Sequence, residues 1–220
     1  DRVLIFLEGV YSMDGDVPDL PRFVELRHKH KTYLMVDEAH SLGVLGKSGL
    51  GIREHFGLKG SDADLWMGTL SKTLASCGGY IAGSGPLVEY LKYSAPGFLF
   101  SVGITPANAA ASLAALEMMR AEPQRVDTLR TRSDQFRQLA RAHGLDIGLS
   151  EGSSVVPIVL GDSMLSVALS NALFAEGINV QPVMYPAVEE NAARLRFFIT
   201  SVHTEAQITY TVEKIAGELN

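Results

Sequence analysis

The sequence has 220 residues, and its 19 Lys and Arg against 25 Asp and Glu give a formal net charge of −6. Hydrophobic residues make up 46% and charged residues 20% of the chain, a composition that excludes a disordered chain, a collagen-like repeat and a disulfide-rich scaffold. The acidic balance disfavours a nucleic-acid partner or an anionic membrane surface. The single cysteine, Cys77, cannot form an internal disulfide, so we expect a reducing compartment such as the cytoplasm.

The first predicted strand is the apolar run at residues 3–7. Five consecutive apolar residues are typical of a strand buried on both faces of a parallel sheet. The run lacks a basic leader and is too short for a signal peptide, and no stretch of the sequence reaches the ~20 apolar residues of a membrane span. Because proteins rarely begin on a core strand, we expect an upstream part to be missing.

Strands and helices alternate in the residues that follow. Residues 19–31 have the apolar spacing of a helix, with Pro21 in its first turn. Further strands are predicted at 33–36, 65–70 and 80–83. This alternation predicts an α/β domain with a largely parallel sheet.

The pattern changes at Pro123, which separates two helical stretches at residues 105–120 and 125–143. We therefore predict a domain boundary there, with a large α/β domain at residues 1–122 and a small α+β domain at residues 123–220. The later elements expected in the small domain are strands at 155–160, 178–183 and 195–200 and helices at 164–175 and 205–219.

Polar side chains follow three of the predicted strands, at residues 8–12, 37–40 and 68–72. In open parallel sheets, ligands bind at the carboxyl ends of the strands. These segments would place a carboxylate, an imidazole, hydroxyls and one amine around a common cleft. Such a convergent set predicts a chemically active site at this edge of the sheet.

The run Asp-Glu-Ala-His at residues 37–40 also resembles the Mg²⁺-binding signature of a helicase family. Such an enzyme needs a phosphate-binding loop with the pattern Gly-x-x-x-x-Gly-Lys-Ser/Thr. The nearest match, at residues 41–48, has Ser41 in place of the first glycine and follows the acidic run instead of preceding it. The nucleotide-hydrolysing alternative is therefore disfavoured.

Lys72 lies among small residues after a predicted buried strand. We expect burial there to favour the neutral, nucleophilic form of its amine. A free amine of this kind can form an imine with the aldehyde of pyridoxal phosphate, whose ring accepts electrons during the reaction. The ring nitrogen must stay protonated for that purpose, and Asp37 is the candidate carboxylate to hold the proton.

Six motifs lie along the chain: residues 8–16, residues 36–43, the glycines Gly46, Gly49 and Gly51, residues 68–72, Phe100 and Ser101 before Pro106, and residues 193–196 with His203 downstream. In this order and spacing they resemble those of the α-oxoamine synthases, which are fold-type I, aminotransferase-like pyridoxal-phosphate enzymes. The resemblance extends over essentially the whole chain. It implies the C-terminal part of a large, mostly parallel-sheet domain followed by a small α+β domain.

The resemblance implies a role in cofactor binding for each of five residues. Lys72 would form the covalent bond to the cofactor's aldehyde and later move the Cα proton of the substrate. Asp37 would pair with the ring nitrogen, while His40 and Ser12 would hydrogen-bond the phenolic oxygen. Thr69 would bind the phosphate.

Two further residues complete the implied site. Ser101 matches a hydroxyl that reaches the phosphate bound by the other subunit, so we expect a homodimer with shared active sites. Arg196 matches the arginine that binds the amino-acid carboxylate, a role that suits the two-pronged guanidinium. From the residues alone, Arg194 and Arg196 alternate on one strand, and either could be this clamp. No metal site is expected.

The implied reaction condenses an amino acid with an acyl thioester, carried by CoA or by an acyl carrier protein, and releases CO₂ to leave an α-amino ketone. Two alternatives stay open: aminotransferase or lyase chemistry on the same fold, and a non-catalytic partner subunit. Retention of Lys72, Asp37 and His40 counts against the second alternative. Because the family's N-terminal segment is missing, we expect the 220-residue chain to be an incomplete catalyst.

Overall fold

The computed structural model describes residues 2–219. Its first sheet has four strands in the order β1-β2-β3-β4. Neighbouring strands β1, β2 and β3 are parallel, and β4 runs antiparallel to β3 at the edge of the sheet. The strands are β1 (Leu4–Glu8), β2 (Tyr33–Asp37), β3 (Leu65–Thr69) and β4 (Gly79–Gly83). The prediction of a largely parallel sheet is confirmed.

Five α-helices of this first part connect or follow the strands. Helix α1 has Pro21 in its first turn, as predicted, and ends at Lys31, which adopts a left-handed conformation with φ of 53°. Helix α5 begins after Thr105, whose side chain accepts a hydrogen bond from the amide of Asn108. The helices are α1 (Leu20–His30), α2 (Ile52–His55), α3 (Gly85–Ser94), α4 (Pro96–Leu99) and α5 (Pro106–Ala121), with a short 3₁₀ helix at Gly60–Asp62.

The prediction that the first strand is buried on both faces is wrong for this chain. Leu7 on β1 is buried, but Leu4 and Phe6 are 51% and 53% exposed. The reason is that side chains alternate between the two faces of a strand, and the described residues cover only one face of β1. On β2, Leu34 and Val36 are buried in the same alternating pattern.

The second sheet has three antiparallel strands in the order β5-β7-β6. Leu195 and Phe197 on β7 join the core formed with the helices, where Phe136 packs against Phe197 with ring centroids 5.0 Å apart. The opposite face of β7 therefore carries Arg194 and Arg196. The elements are α6 (Gln124–Ala142), β5 (Val155–Val159), α7 (Ser163–Ala175), β6 (Pro182–Val183), a 3₁₀ helix at Glu190–Ala192, β7 (Arg194–Phe198) and α8 (Glu205–Leu219).

The contacts divide the chain into two compact units. The first contains the residues up to Val10 and Pro18–Val126, and the second contains Tyr11–Val17 and the residues from Asp127 onward. The second unit therefore includes a short segment that lies between β1 and α1 in the sequence. None of the helices within residues 2–219 is long and apolar enough to cross a membrane.

Candidate functional site

The turn after β2 carries the first two candidate residues, Asp37 and His40, and both are half-buried. Asp37 is the last residue of β2 and lies beside Met67 of β3 in the sheet. Its Oδ1 accepts a hydrogen bond from the amide of Ala39 at 2.7 Å. The amide of Glu38 donates to the carbonyl of Met67 at 2.8 Å. The turn is thus fixed to β3 by this backbone hydrogen bond.

Glu38, between the two candidates, is a residue that the sequence analysis missed. It is only 5% exposed, and its carboxyl accepts hydrogen bonds from the Ser41 hydroxyl, from the Ile52 amide at 3.0 Å and from the Arg53 amide at 3.5 Å. Burial raises the pKa of Glu38, although these hydrogen bonds oppose the shift. Gly51 has a φ of 85°, and a Cβ there would collide with this carboxyl. Glu38 therefore ties the site turn to the start of α2.

The turn after β3 carries Thr69 and Lys72. The Thr69 hydroxyl lies 2.7 Å from the Ser71 hydroxyl and donates to the carbonyl of Gly78 at 3.2 Å. Lys72 is exposed, so the expectation that it is buried is wrong, because it lies in the turn that follows β3 and not within the strand.

A direct hydrogen bond holds the two turns together. The hydroxyl of Thr73, next to Lys72, donates to the carbonyl of Leu42 at 2.8 Å. Gly43 has a φ of 79°, and a Cβ there would overlap the Thr73 side chain, so the close approach requires glycine. The structure thus brings the segment of Lys72 against the segment that follows His40.

Tyr80 on β4 also belongs to this region and was missed by the sequence analysis. It pairs with Gly68 across the sheet, and a Cβ on Gly68 would collide with the Tyr80 ring. Burial raises the pKa of Tyr80, and the carboxylates of Glu38 and Asp37 add to the shift. The glycine opposite the tyrosine was the available signal, because a strand glycine marks a place where another group approaches closely.

In the second unit, the structure distinguishes the two arginines that the sequence left as alternatives. Arg194 is buried, forms an ion pair with Asp14, and donates to the carbonyls of Ala192 at 2.8 Å and Met13 at 3.3 Å. Its charge and donors are therefore occupied. Arg196 is half-buried and donates to the carbonyl of Ser12 at 3.0 Å, so it keeps donors for a ligand and is the better candidate for a carboxylate clamp.

The remaining motif residues lie elsewhere. Ser101 follows α4, is exposed, and donates its hydroxyl hydrogen to the carbonyl of Phe98 at 3.2 Å. His203 precedes α8, where its Nδ1 accepts a hydrogen bond from the amide of Thr200 at 3.2 Å. His203 thus has a structural partner at the start of a helix. No cluster of metal-ligating side chains is found among residues 2–219.

The groups at the two turns suit pyridoxal phosphate chemically. Asp37 offers an oriented carboxylate for a ring nitrogen, His40 an imidazole for a phenolic oxygen, and Lys72 an accessible amine for an aldehyde. Thr69 and Ser71 place two hydroxyls beside Lys72. This set differs from a nucleotide site, which needs a phosphate-binding loop.

Comparisons with known proteins agree with these observations. Residues 1–215 match the aminotransferase class I and II family. The chain is 43% identical over 213 residues to 8-amino-7-oxononanoate synthase of Fervidobacterium nodosum, covering 97% of this chain and 53% of that protein. It is 40% identical over 212 residues to serine palmitoyltransferase of Bacteroides thetaiotaomicron, covering 96% and 53%. The chain thus spans about half the length of the curated relatives it matches.

Solved structures give the same picture. Serine palmitoyltransferase from S. paucimobilis, solved with a bound PLP–myriocin aldimine, superposes with a TM-score of 0.92 at 28% identity, over 98% of this chain and 54% of that one. For 8-amino-7-oxononanoate synthase from Francisella tularensis, the TM-score is 0.88 at 28% identity, over 99% and 63%.

Proposed function

Because the chain belongs to the aminotransferase class I and II family, we propose that it is part of a pyridoxal-phosphate-dependent acyltransferase. The reaction joins an amino acid to an acyl thioester of CoA or of an acyl carrier protein. One proton is taken up, and CO₂ and the free thiol leave, so that an α-amino ketone remains. The fold, shared with serine palmitoyltransferase and 8-amino-7-oxononanoate synthase, is the fold-type I fold of pyridoxal-phosphate transferases.

One observation carries this proposal. The turns that bear Asp37, His40 and Lys72 lie at neighbouring strand ends and are joined by the hydrogen bond from Thr73 to Leu42. A carboxylate, an imidazole and an amine are thereby held at one edge of the sheet, in a chain 43% identical to an 8-amino-7-oxononanoate synthase and 40% identical to a serine palmitoyltransferase. The bound cofactor would supply the electron-accepting ring.

Each residue then has a definite task. The Lys72 amine would hold the cofactor through its aldehyde and, when free, would carry the proton taken from the substrate Cα. The Asp37 carboxylate, oriented by the Ala39 amide, would hold the proton on the ring nitrogen. His40 and Ser12 would hydrogen-bond the phenolic oxygen, and Thr69 would bind the phosphate.

We assign the substrate carboxylate to Arg196. A guanidinium can hold a carboxylate through two hydrogen bonds and thereby orient one Cα bond for cleavage. Arg194 is unsuited to this task because Asp14 already neutralises it.

We also propose that residues 1–122 are the C-terminal portion of the cofactor-binding domain and that residues 123–220 are the small domain. The grouping of contacts supports this division, because the chain changes units after Val126. The segment Tyr11–Val17 groups with the second unit. A cytoplasmic location stays a prediction from the single cysteine.

We further propose a homodimer in which Ser101 reaches the phosphate held by the other subunit. The support is a run of large apolar side chains around Ser101 that lie exposed, because such surfaces usually mark an interface. Sedimentation equilibrium of the cofactor-loaded protein checks this, and a monomer would contradict it. The exposed side chains are Tyr90, Tyr93, Phe98, Leu99, Phe100, Val102 and Ile104.

The experiment that tests the function uses the protein expressed from its complete gene and mixed with pyridoxal phosphate. Borohydride reduction followed by peptide mass spectrometry is expected to find the phosphopyridoxyl group on Lys72. The variant Lys72→Ala is expected to lose the adduct, whereas Lys47→Ala, which changes a lysine outside the site, is expected to keep it. A wild-type protein without an adduct on Lys72 contradicts the proposal.

Product analysis then separates the synthase from its alternatives. Release of CO₂ together with free thiol, dependent on both an amino acid and an acyl thioester, identifies the proposed reaction. A keto acid formed without CO₂ identifies an aminotransferase instead. A protein that carries the Lys72 adduct yet converts no amino acid would be a non-catalytic subunit.

A further inference from the structure

The guanidinium of Arg196 is contacted by three different groups of its own unit. Its Nη1 donates to the carbonyl of Ser12 at 3.0 Å and lies 3.3 Å from the sulfur of Met13. Its Cζ lies 4.8 Å from the centroid of the Phe198 ring, within the distance at which a cation is attracted to an aromatic face. The backbone and the ring together restrict the orientation of the guanidinium.

No carboxylate among residues 2–219 forms an ion pair with Arg196, unlike Arg194, which pairs with Asp14. Burial lowers the pKa of Arg196, although an arginine stays charged at physiological pH. A half-buried guanidinium without an anion is a binding site for one, since pairing compensates the loss of hydration. The Nη2 and Nε donors are the ones that Ser12 does not use.

Phe198 lies on β7 at a position from which its ring contacts this guanidinium. It lies two residues after Arg196, so both side chains project from the same face of the strand. Phe198 is 45% exposed, in contrast to Phe197, which is buried in the core on the other face. The Phe198 ring is therefore not part of the core, and it contacts the Arg196 guanidinium.

We propose that Phe198 is a positioning residue that holds the Arg196 guanidinium ready for the carboxylate of the amino-acid substrate. The inference rests on the proposed function, because it takes Arg196 as the clamp. The Ser12 carbonyl occupies one donor and the Phe198 ring occupies one face of the guanidinium. The Nη2 and Nε donors are left for the substrate carboxylate. Phe198 thus lowers the entropic cost of binding a carboxylate.

The test measures equilibrium binding of three small amino acids, glycine, L-alanine and L-serine, to the cofactor-loaded protein by the change in cofactor absorbance. Phe198→Leu removes the ring but keeps apolar bulk. We expect it to weaken the binding of the amino acids by roughly 2- to 5-fold, the equivalent of one exposed cation–π contact. Phe198→Tyr keeps the ring and is expected to restore wild-type affinity.

Two controls separate positioning from a general structural effect. Ethanolamine, which is serine without its carboxylate, is expected to bind equally to wild type and Phe198→Leu. Phe174→Leu changes another exposed phenylalanine, on α7, and is expected to leave amino-acid binding unchanged. In an Arg196→Lys background, Phe198→Leu is expected to have a smaller effect, because the planar guanidinium that stacks on the ring is gone.

The outcomes are distinguishable. If the wild-type protein binds the three amino acids and Phe198→Leu binds them equally well, the inference about Phe198 is overturned and the proposed function stands. Weaker binding of ethanolamine as well as of the amino acids also overturns it, because the effect is then not specific to the carboxylate. A wild-type protein that binds none of them overturns the inference together with the proposed function.

Discussion

Glu38 shows how a single buried carboxyl makes the stability of this protein depend on pH. Its burial raises the pKa above the ordinary value of 4.5, so the folded state holds the proton more tightly than the unfolded state does. By linkage, stability from this group is fully present below that ordinary value and is lost as the pH rises through the folded-state pKa. The ionised form is kept in place by the hydrogen bonds from Ser41 and Ile52.

We expect Glu38→Gln to remove this dependence. The glutamine oxygen can take the place of Oε2 and accept from both the Ser41 hydroxyl and the Ile52 amide, but the amide does not titrate. Urea unfolding between pH 4 and pH 8 should show that the wild type loses stability relative to the variant as the pH rises. Glu25→Gln, on the exposed face of α1, is the matched control, and its stability should change with pH as that of the wild type does. If the stability of Glu38→Gln changed with pH in the same way as that of the wild type, the Glu38 carboxyl would not be the source of this dependence.

Between elements, one ion pair connects α1 with the start of β2 and the residue before β3. Arg27 donates to both oxygens of Asp64 at 2.8 and 2.7 Å, and the amide of Leu34 donates to Asp64 at 2.8 Å. The hydrogen bonds from Arg27 lower the pKa of Asp64. Stability from this pair is therefore present above the ordinary carboxyl pKa and is lost as the pH falls through the folded-state value.

Asp64→Asn is expected to destabilise the protein by about 2 kcal/mol at pH 7, because charge-assisted hydrogen bonds contribute more than neutral ones. Glu89→Gln breaks an exposed ion pair with Lys92 on α3 and should cost less than about 0.5 kcal/mol. Urea unfolding measures both variants. The difference in stability loss between the two variants should disappear in strong acid, where the Asp64 carboxyl of the wild type is protonated in both the folded and the unfolded state. Equal losses at pH 7 would contradict the assignment.

The elements that the sequence predicts best are those in which apolar spacing and local signals agree. Helices α1 and α8 and strand β3 are predicted within one residue of their bounds. Of the strand predicted at residues 178–183, only Pro182–Val183 forms a strand. The earlier part is not a strand, since Val180 is buried in the core without pairing in the sheet. An apolar pattern reports burial, and hydrogen bonding need not accompany it.

For the site, sequence motifs identify the groups that carry charge or react, but not the groups that hold them. Lys72 and Asp37 follow from their place after apolar strands. Thr73 could not be predicted, because its partner Leu42 lies in another segment of the chain, and the only signal for Tyr80 was the strand glycine Gly68 that faces it. The pairing of Phe198 with Arg196 was missed although the alternation of side chains along a strand places both on one face of β7.

Across the whole chain, the second unit depends on residues from near the start of the sequence. Asp14 neutralises the buried Arg194, and the carbonyl of Gly15 accepts a hydrogen bond from the Ser153 hydroxyl at 2.7 Å. The second unit is therefore incomplete without Tyr11–Val17. A change in this segment should act on elements far away in sequence.

We expect Asp14→Ala to destabilise the second unit by about 2 kcal/mol, since it leaves the Arg194 guanidinium buried without a counter-charge. Hydrogen exchange read by mass spectrometry should show lost protection in β5, β7 and α8, while β1 and β2 keep theirs. Asp19→Ala, outside the segment, is the matched control. Faster exchange in β1 and β2 with no change in β7 would contradict this account.

The insertion of Tyr11–Val17 into the second unit also has a consequence for biosynthesis. Its partners Arg194 and Arg196 lie 180 and 184 residues later than Asp14 and Ser12. At the usual ribosomal pace, roughly 10 to 40 s separate the emergence of the segment from that of its partners. During that interval the nascent chain presents the acidic segment Tyr11–Val17 without Arg194 and Arg196, and the segment can take its final position only after β7 has been synthesised.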